Sequence, residues 1–546
     1  MKIKSFNEFG ILLGCAANAV PRVETLEKYA DIMHELGYNT LYLETADTYK
    51  IDGEPYFGYM RGGYSAAEIR RLDAYCRERG IELVPAIQTL AHLHFLKNYE
   101  RYRPIVDVED ILLVDEAATY ELIDKMFAAA AAMYSSRRIN IGMDEAYLLG
   151  TGKYFYKHGY KDKTEIMLSH LKKVLAIAEK YGFRCEMWSD MFFHAISKGN
   201  VYETGGNAVP AEWKEKVPEN LTLVYWEYFV PDAETCGHMI DMHRQISDDV
   251  KYAGTFFRWH GIAPANAFSE KVMKRALTAC KNRGVKDVLF ALWADYGGGA
   301  SIFSVLPAMY EISRFAANDC NEEQTDYRRF EQLFGVKYED FGLLDALNYP
   351  DTDFSEKIVS DRRLNNKSFF YLFNDVFYGT FDSLLSEGIS EKYANVCSQL
   401  KKIDGKEFSY IFDTLVALAD VLSVKAELGK RIRAAYGKGD KETLRRIAKE
   451  DIPALLQKLD VYYAAYERQW MKESKPFGFE VQNIRLGGLR SRIEYAGRTI
   501  ERYLSGALKT IGELEEPQQP FGYSPAQNED DYQITRYIPA VTHGFL

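Results

Sequence analysis

HELGYNTLYLE, residues 34–44, joins the last turn of a helix, a glycine and an alternating apolar run. Gly37 fits a helix C-cap, because the left-handed backbone needed there costs glycine little. The residues after it, Thr40 to Glu44, have the β-branched and apolar content of a strand. The same phrase returns as RERGIELVPAI (77–87), EKYGFRCEMW (179–188) and KNRGVKDVLFALW (281–293), with Gly80, Gly182 and Gly284 at the joint. Working outward, apolar runs bounded by such signals predict eight strands, near 10–17, 40–46, 82–89, 138–143, 184–190, 221–228, 251–259 and 287–294. Most intervals carry helical periodicity, as in VETLEKYADIMHELG (23–37) and SEKVMKRALTACKNRG (269–284). Eight strand–helix units over residues 1–320 predict an α/β fold, the (β/α)8 TIM barrel, which typically takes ~250 residues plus insertions. An open doubly wound sheet would usually show a Gly-rich phosphate turn after its first strand, and GCAANAV (14–20) is not one.

Beyond residue 320 the rhythm changes. EFSYIFDTLVALADVLSVKAELGKRIRAAY (407–436) and RSRIEYAGRTIERYLSGALKTIGELEE (490–516) are long and helical, with no strand pattern between them. An α-helical C-terminal domain is expected over 345–520, followed by a polar tail at 521–546.

Of the 546 residues 47% are hydrophobic and 27% charged, and no apolar run approaches the ~18 residues of a membrane span. With no secretory signal evident at the start, a cytoplasmic address is expected. Seven cysteines without a CxxC pair point to structural thiols rather than disulfides or a metal site. A net charge of −11 argues against a nucleic-acid partner. Aromatics at 14%, with 39 tyrosines, suit a carbohydrate partner. A homodimer is compatible with all of this.

Barrel chemistry gathers at the C-terminal ends of the strands. In chain order those ends offer Asn18; Glu44 and Asp47; Gln88 and His92; Asp144 and Glu145; Trp188 and Asp190; Trp226, Glu227 and Tyr228; Arg258, Trp259 and His260; Trp293 and Asp295. Four of the six tryptophans fall at consecutive ends. Indole faces ringed by carboxylates suit a pyranose, whose C–H faces stack on aromatics while its hydroxyls seek acids. The bland alternative is that these rings plug the mouth of the barrel. His92 and His94 lack ligand-spaced companions, so structural roles are expected and no metal. No Walker-type loop is present.

Asp144 and Glu145 are adjacent, whereas the two carboxyl groups of most glycosidases flank the bond at ~5–9.5 Å. One chemistry wants neighbours: substrate-assisted hydrolysis of 2-acetamido sugars, an exception to the two-carboxylate scheme. The acetamido oxygen attacks the anomeric carbon, Asp144 orients the acetamido N–H, and Glu145 protonates the departing oxygen.

IGMDEAYLLGTGKY (141–154) resembles the catalytic stretch of the family 20 glycoside hydrolases, the β-N-acetylhexosaminidases, particularly bacterial members with an α-helical C-terminal domain. The likeness extends to ETADTYKIDGEPYFGYMRGGYS (44–65), ELVPAIQTLAHL (82–93), DILLVDEAATYELIDKMF (110–127) and IRLGGLRSRIEYA (484–496). It implies a cofactor-free retaining exo-hydrolase releasing terminal β-linked GlcNAc or GalNAc. Trp188, Trp226 and Trp293 would form the sugar pocket and Asp295 would contact a hydroxyl, with Tyr228, Trp259, His92 and Asn18 as further substrate-binding candidates. Two positions depart from the family pattern. Asn140 stands where the motif has histidine, and Ala17 where related members have a sugar-binding arginine; Arg61 and Arg258 are the candidates to compensate. The departures keep open the same mechanism on an O3- or O4-substituted, sulfated or longer 2-acetamido glycan, or a sugar-binding protein with reduced turnover.

Overall fold

In the computed structural model, which describes residues 1–197, 202, 209–259, 261–322, 326–350 and 367–519, eight parallel strands close into a barrel in chain order. They are β1 (Glu8–Gly14), β2 (Thr40–Glu44), β3 (Glu82–Ala86), β4 (Arg138–Asn140), β5 (Arg184–Trp188), β6 (Leu221–Trp226), β7 (Val250–Thr255) and β8 (Asp287–Leu292). Closure is made by β1, which pairs Gly10 with Thr40 of β2 on one side and Glu8 with Asp287 of β8 on the other. The expected (β/α)8 architecture is the observed one. Gly37, Gly80, Gly182 and Gly284 all have φ between 67° and 88°, the left-handed geometry their joints require.

Each strand stops short of its expected end. β4 ends at Asn140 rather than 143, because Gly142 and Met143 both turn to φ 69° and leave the ladder. A Cβ at Gly142 would run into the Gln88 side chain, so only glycine fits this turn.

The chain divides into two compact units, Met1–Phe256 with Glu270–Ala294 and Met309–Glu323, and Phe257–Ser269 with Asp295–Ala308 and Gln324–Leu546. Side chains alternate in and out along each strand of the first unit. At the N-terminal end of the barrel the inward positions are charged. Lys251 Nζ lies 2.8 Å from Glu186 and 3.0 Å from Glu8, and Arg138 pairs with Glu8. One layer up the interior becomes apolar, with Leu12, Tyr42, Val84, Trp188, Val224 and Leu289 in one buried cluster.

The second unit is helical, its longest helices being Ser409–Lys425, Ile452–Glu473 and Phe479–Leu504, and it has no strand among the described residues. The IRLGGLRSRIEYA stretch lies inside the last of these. The expected tail at 521–546 and His260 lie outside the described residues. All seven cysteines are buried free thiols, as expected. Among the described residues no helix is long and apolar enough to cross a membrane.

Candidate active site

The turn after β4 carries the adjacent acids, and the segment after β3 brings a histidine to both. His92 Nε2 lies 3.2 Å from Asp144 Oδ2 and 3.8 Å from Glu145 Oε2. Gln88 adds its side-chain amide to Asp144 Oδ1 at 3.4 Å. Asn140 acts one step below. Its Oδ1 accepts the Gly142 N–H at 2.8 Å and so pins the turn that presents Asp144.

Three of these side chains stand on left-handed backbone, with φ of 74° at Asn18, 59° at His92 and 50° at Glu145. Such geometry is uncommon outside glycine and needs support from neighbours. Each has it. The His92 N–H donates to Asp110 Oδ2 at 2.9 Å, and the Glu145 N–H to Asp190 Oδ2 at 2.9 Å. Asn18 Oδ1 accepts from Arg61 at 2.6 Å.

Electrostatics separates the acids. Burial disfavours the charge on Asp144, but the His92 cation and hydrogen bonds from His92 and Gln88 hold its carboxyl below the usual range. Burial likewise opposes a charged His92, yet Asp144, Glu145 and Asp110 raise it to about 10. Asp190 goes the other way. It is fully buried, and together with the Asp144 and Glu145 charges this pushes it up to about 7. His92, His94 and Asp110 also bring donor atoms within 4.8 Å of one another, a grouping able to hold a metal ion. On His92 it is Nδ1 that faces Asp110, at 3.8 Å, while Nε2 faces Asp144.

The aromatic residues occupy successive layers. Trp226 pairs across the sheet with Ala253, whereas Trp188 pairs with Val224, one layer deeper. Trp188 is accordingly 2% exposed and belongs to the core cluster, while Trp226 and Trp293 are partly buried above it. The expectation of Trp188 on the pocket wall is corrected by this register. It lies in the buried cluster one layer below Trp293, ring centroids 5.9 Å apart. Tyr228 ties the upper rings together by stacking on Trp226 at 5.3 Å and accepting a hydrogen bond from Trp293 Nε1 at 2.9 Å.

Asp144, Glu145, His92, Asn18, Trp188, Trp226, Tyr228 and Trp293 thus all fall in the first unit. Trp259 and Asp295 fall in the second, where Trp259 stacks on Phe257 at 5.5 Å and Asp295 opens a short 3-10 turn. Arg258, a candidate for compensation, is buried there and donates to the Ala300 carbonyl at 3.0 Å. Arg61 is held in the first unit by Asn18, Asp47 and the Ala16 carbonyl, with its guanidinium 3.4 Å from the Phe95 ring centre. Sequence reasoning missed the roles of Asp110 and Asp190. Asp190 was legible as the second residue past a strand-end tryptophan, whereas Asp110, the first residue of DILLVDEAATYELIDKMF, sits in a hairpin loop away from every expected strand end.

Residues 23–235 match the model of the glycosyl hydrolase family 20 catalytic domain, and residues 339–533 that of the Glycoside Hydrolase 20C C-terminal domain. The chain is similar to Hexosaminidase D of Bos taurus, 23% identical over 256 residues, which is 45% of this chain and 68% of that protein. Its likeness to Hexosaminidase D of Homo sapiens is 23% over 235 residues, 41% of this chain and 46% of that one. Among solved structures, the family 20 exo-β-N-acetylglucosaminidase of Vibrio harveyi superposes with a TM-score of 0.45 at 16% identity, over 62% of this chain and 58% of that one. That likeness is too distant to bear on the site.

Proposed function

This chain belongs to glycoside hydrolase family 20, and from that premise we propose that it is a retaining exo-β-N-acetylhexosaminidase working by substrate-assisted catalysis. The observation that carries the reading is the convergence of Asp144 and Glu145 on one imidazole, at 3.2 and 3.8 Å. Asp144, held ionised by His92, suits the residue that accepts the acetamido N–H and balances the positive charge of the cyclised intermediate. The acetamido oxygen forms the bond to the anomeric carbon as the glycosidic bond breaks. Glu145 gives its proton to the departing oxygen and takes one back from the water that opens the intermediate. Trp226, Tyr228 and Trp293 supply ring faces for the sugar, with Trp188 in the layer below. Trp259 and Asp295 remain proposed contacts from the family likeness.

The test is a panel of chromogenic β-GlcNAc, β-GalNAc, β-glucoside and β-galactoside substrates, with a thiazoline mimic of the cyclised sugar as inhibitor. Turnover confined to the acetamido sugars, with competitive thiazoline inhibition, is expected. Equal turnover of glucosides with no thiazoline inhibition would sink the mechanism.

A second reading keeps the mechanism but places a substituent on O3 or O4 of the sugar. Ala17 favours it, because methyl replaces a guanidinium at the end of β1 and leaves those hydroxyls without that grip.

A further inference from the structure

We infer that the groove beside Glu145 receives the reducing-side sugars of an oligosaccharide, with Phe155 and Tyr160 as its stacking surfaces; this rests on the hexosaminidase reading above. The groove measures about 600 Å³, within the ~300–1,000 Å³ usual for small-molecule sites. Two elements that leave the catalytic acids wall it. One is the chain running on from Glu145, which contributes Phe155, Tyr160, Lys161 and Lys163. The other is the helix Asp190–Ile196, which contributes Met191 and His194. That helix begins at the very residue whose carboxylate holds the Glu145 N–H.

The two walls meet close to the acids. His194 lines the groove and packs against Tyr147, ring centroids 5.1 Å apart. Tyr147 in turn feels the charges of Glu145, Asp190 and Asp144, which with burial raise its hydroxyl. Lys163 is fixed at this junction by its bond to the Tyr147 carbonyl. In the proposed reaction Glu145 protonates the leaving oxygen, so the leaving group departs on the side of Glu145. The groove wall at His194 packs on Tyr147, two residues past Glu145, and the next sugars of the leaving group are assigned to it.

The lining has the chemistry of a sugar site. Phe155 is 46% and Tyr160 82% exposed, large aromatic surface left in water. Aromatic faces take the C–H face of a pyranose, while Lys161 at the rim offers donors to its hydroxyls. The loop is not slack. Asp162 caps the helix Lys163–Lys180 through the Thr164 and Glu165 N–H groups, which anchors the aromatic segment on one side.

The variant Phe155→Ala/Tyr160→Ala tests this on the full chain, because neither ring supports the core. It should lower kcat/KM for a β-1,4-linked GlcNAc trisaccharide about tenfold and leave methyl β-GlcNAc unchanged. Equal losses on both substrates, or on neither, would overturn the inference. Calorimetric binding of the trisaccharide to Glu145→Gln, with and without the two alanines, reads the groove apart from turnover. A Kd weakened about tenfold is expected, and an unchanged one overturns the proposal. Wild-type protein that hydrolyses neither substrate would refute the hexosaminidase reading instead, leaving the calorimetry to decide the groove. A groove that serves a protein partner would leave both carbohydrate readouts unmoved.

Discussion

The backbone N–H of Glu145 donates to Oδ2 of Asp190 at 2.9 Å, and that bond secures a residue whose φ is 50°. A left-handed residue other than glycine costs about 1–2 kcal/mol, so releasing the bond lets the backbone relax and carry the carboxyl away from His92. Asp190→Ala should therefore lower kcat with little change in KM, and Asp190→Asn, which keeps an acceptor, should recover part of the loss. Steady-state kinetics on one chromogenic substrate checks this; equal damage from both variants would assign Asp190 another role.

The same residue gives a pH signature. Its carboxyl is pushed up to about 7, from an ordinary 3.8, so in that interval the native protein keeps a proton the unfolded chain has released. Stability contributed by Asp190 therefore falls as pH rises through this window. Asp190→Asn should gain in urea midpoint relative to wild type between pH 4 and pH 7, and parallel pH dependences would contradict the shift.

His92 shows the same sense at higher pH. Its pKa, raised to about 10, exceeds the ordinary 6.5 because the Asp144, Glu145 and Asp110 carboxylates facing it outweigh its burial. The stabilisation is complete below pH 6.5 and is lost as pH rises through 10. The depressed Asp144 is the other half of the pair, its share vanishing as pH falls below the usual carboxylate range. Urea titrations of wild type and His92→Gln should converge toward pH 10 and diverge toward neutrality. NMR titration of the imidazole would report the pKa directly, and a value near 6.5 would discard the His92–Asp144 ion pair.

Replacing Glu145 with Gln should remove general-acid help, worth roughly 10²- to 10⁴-fold in rate. The loss should shrink for aryl leaving groups that depart without a proton. Identical losses on natural and activated substrates, with glycosylation limiting, would move the acid role elsewhere.

Trp188 and Trp293 should separate in their effects. Trp188→Ala opens a cavity in the barrel core and should cost about 3–5 kcal/mol of stability. Trp293→Ala, in the layer above, should cost mainly KM and kcat. Denaturation and kinetics on both variants decide the matter, with equal destabilisation arguing that both rings are plugs.

Ala17 lies between Ala16 and Asn18, and Arg61 holds both of those neighbours. Ala17→Arg should raise kcat/KM on plain β-GlcNAc glycosides and lower it on O3- or O4-substituted ones. Efficient wild-type hydrolysis of plain substrates, unaltered by the change, would remove the substituted-sugar reading.

The sequence by itself determined the barrel, because helix, glycine and strand recur locally and each unit writes its own boundaries. It also marked Asp144 and Glu145, since neighbours in the chain stay neighbours in the fold. Strand parity was legible too, which is why Trp188, Trp226 and Trp293 all face inward. The depth of each ring was not, because it depends on the stagger between strands, and that stagger places Trp188 level with Val224 but Trp226 level with Ala253. Nor could the chain announce that Asp110 would brace His92 or Asp190 brace Glu145. These contacts span 18 and 45 residues and exist only once the barrel closes and brings its loops to one end. Tertiary structure alone also set the charges, as burial lifts Asp190 while the His92 cation holds Asp144 ionised.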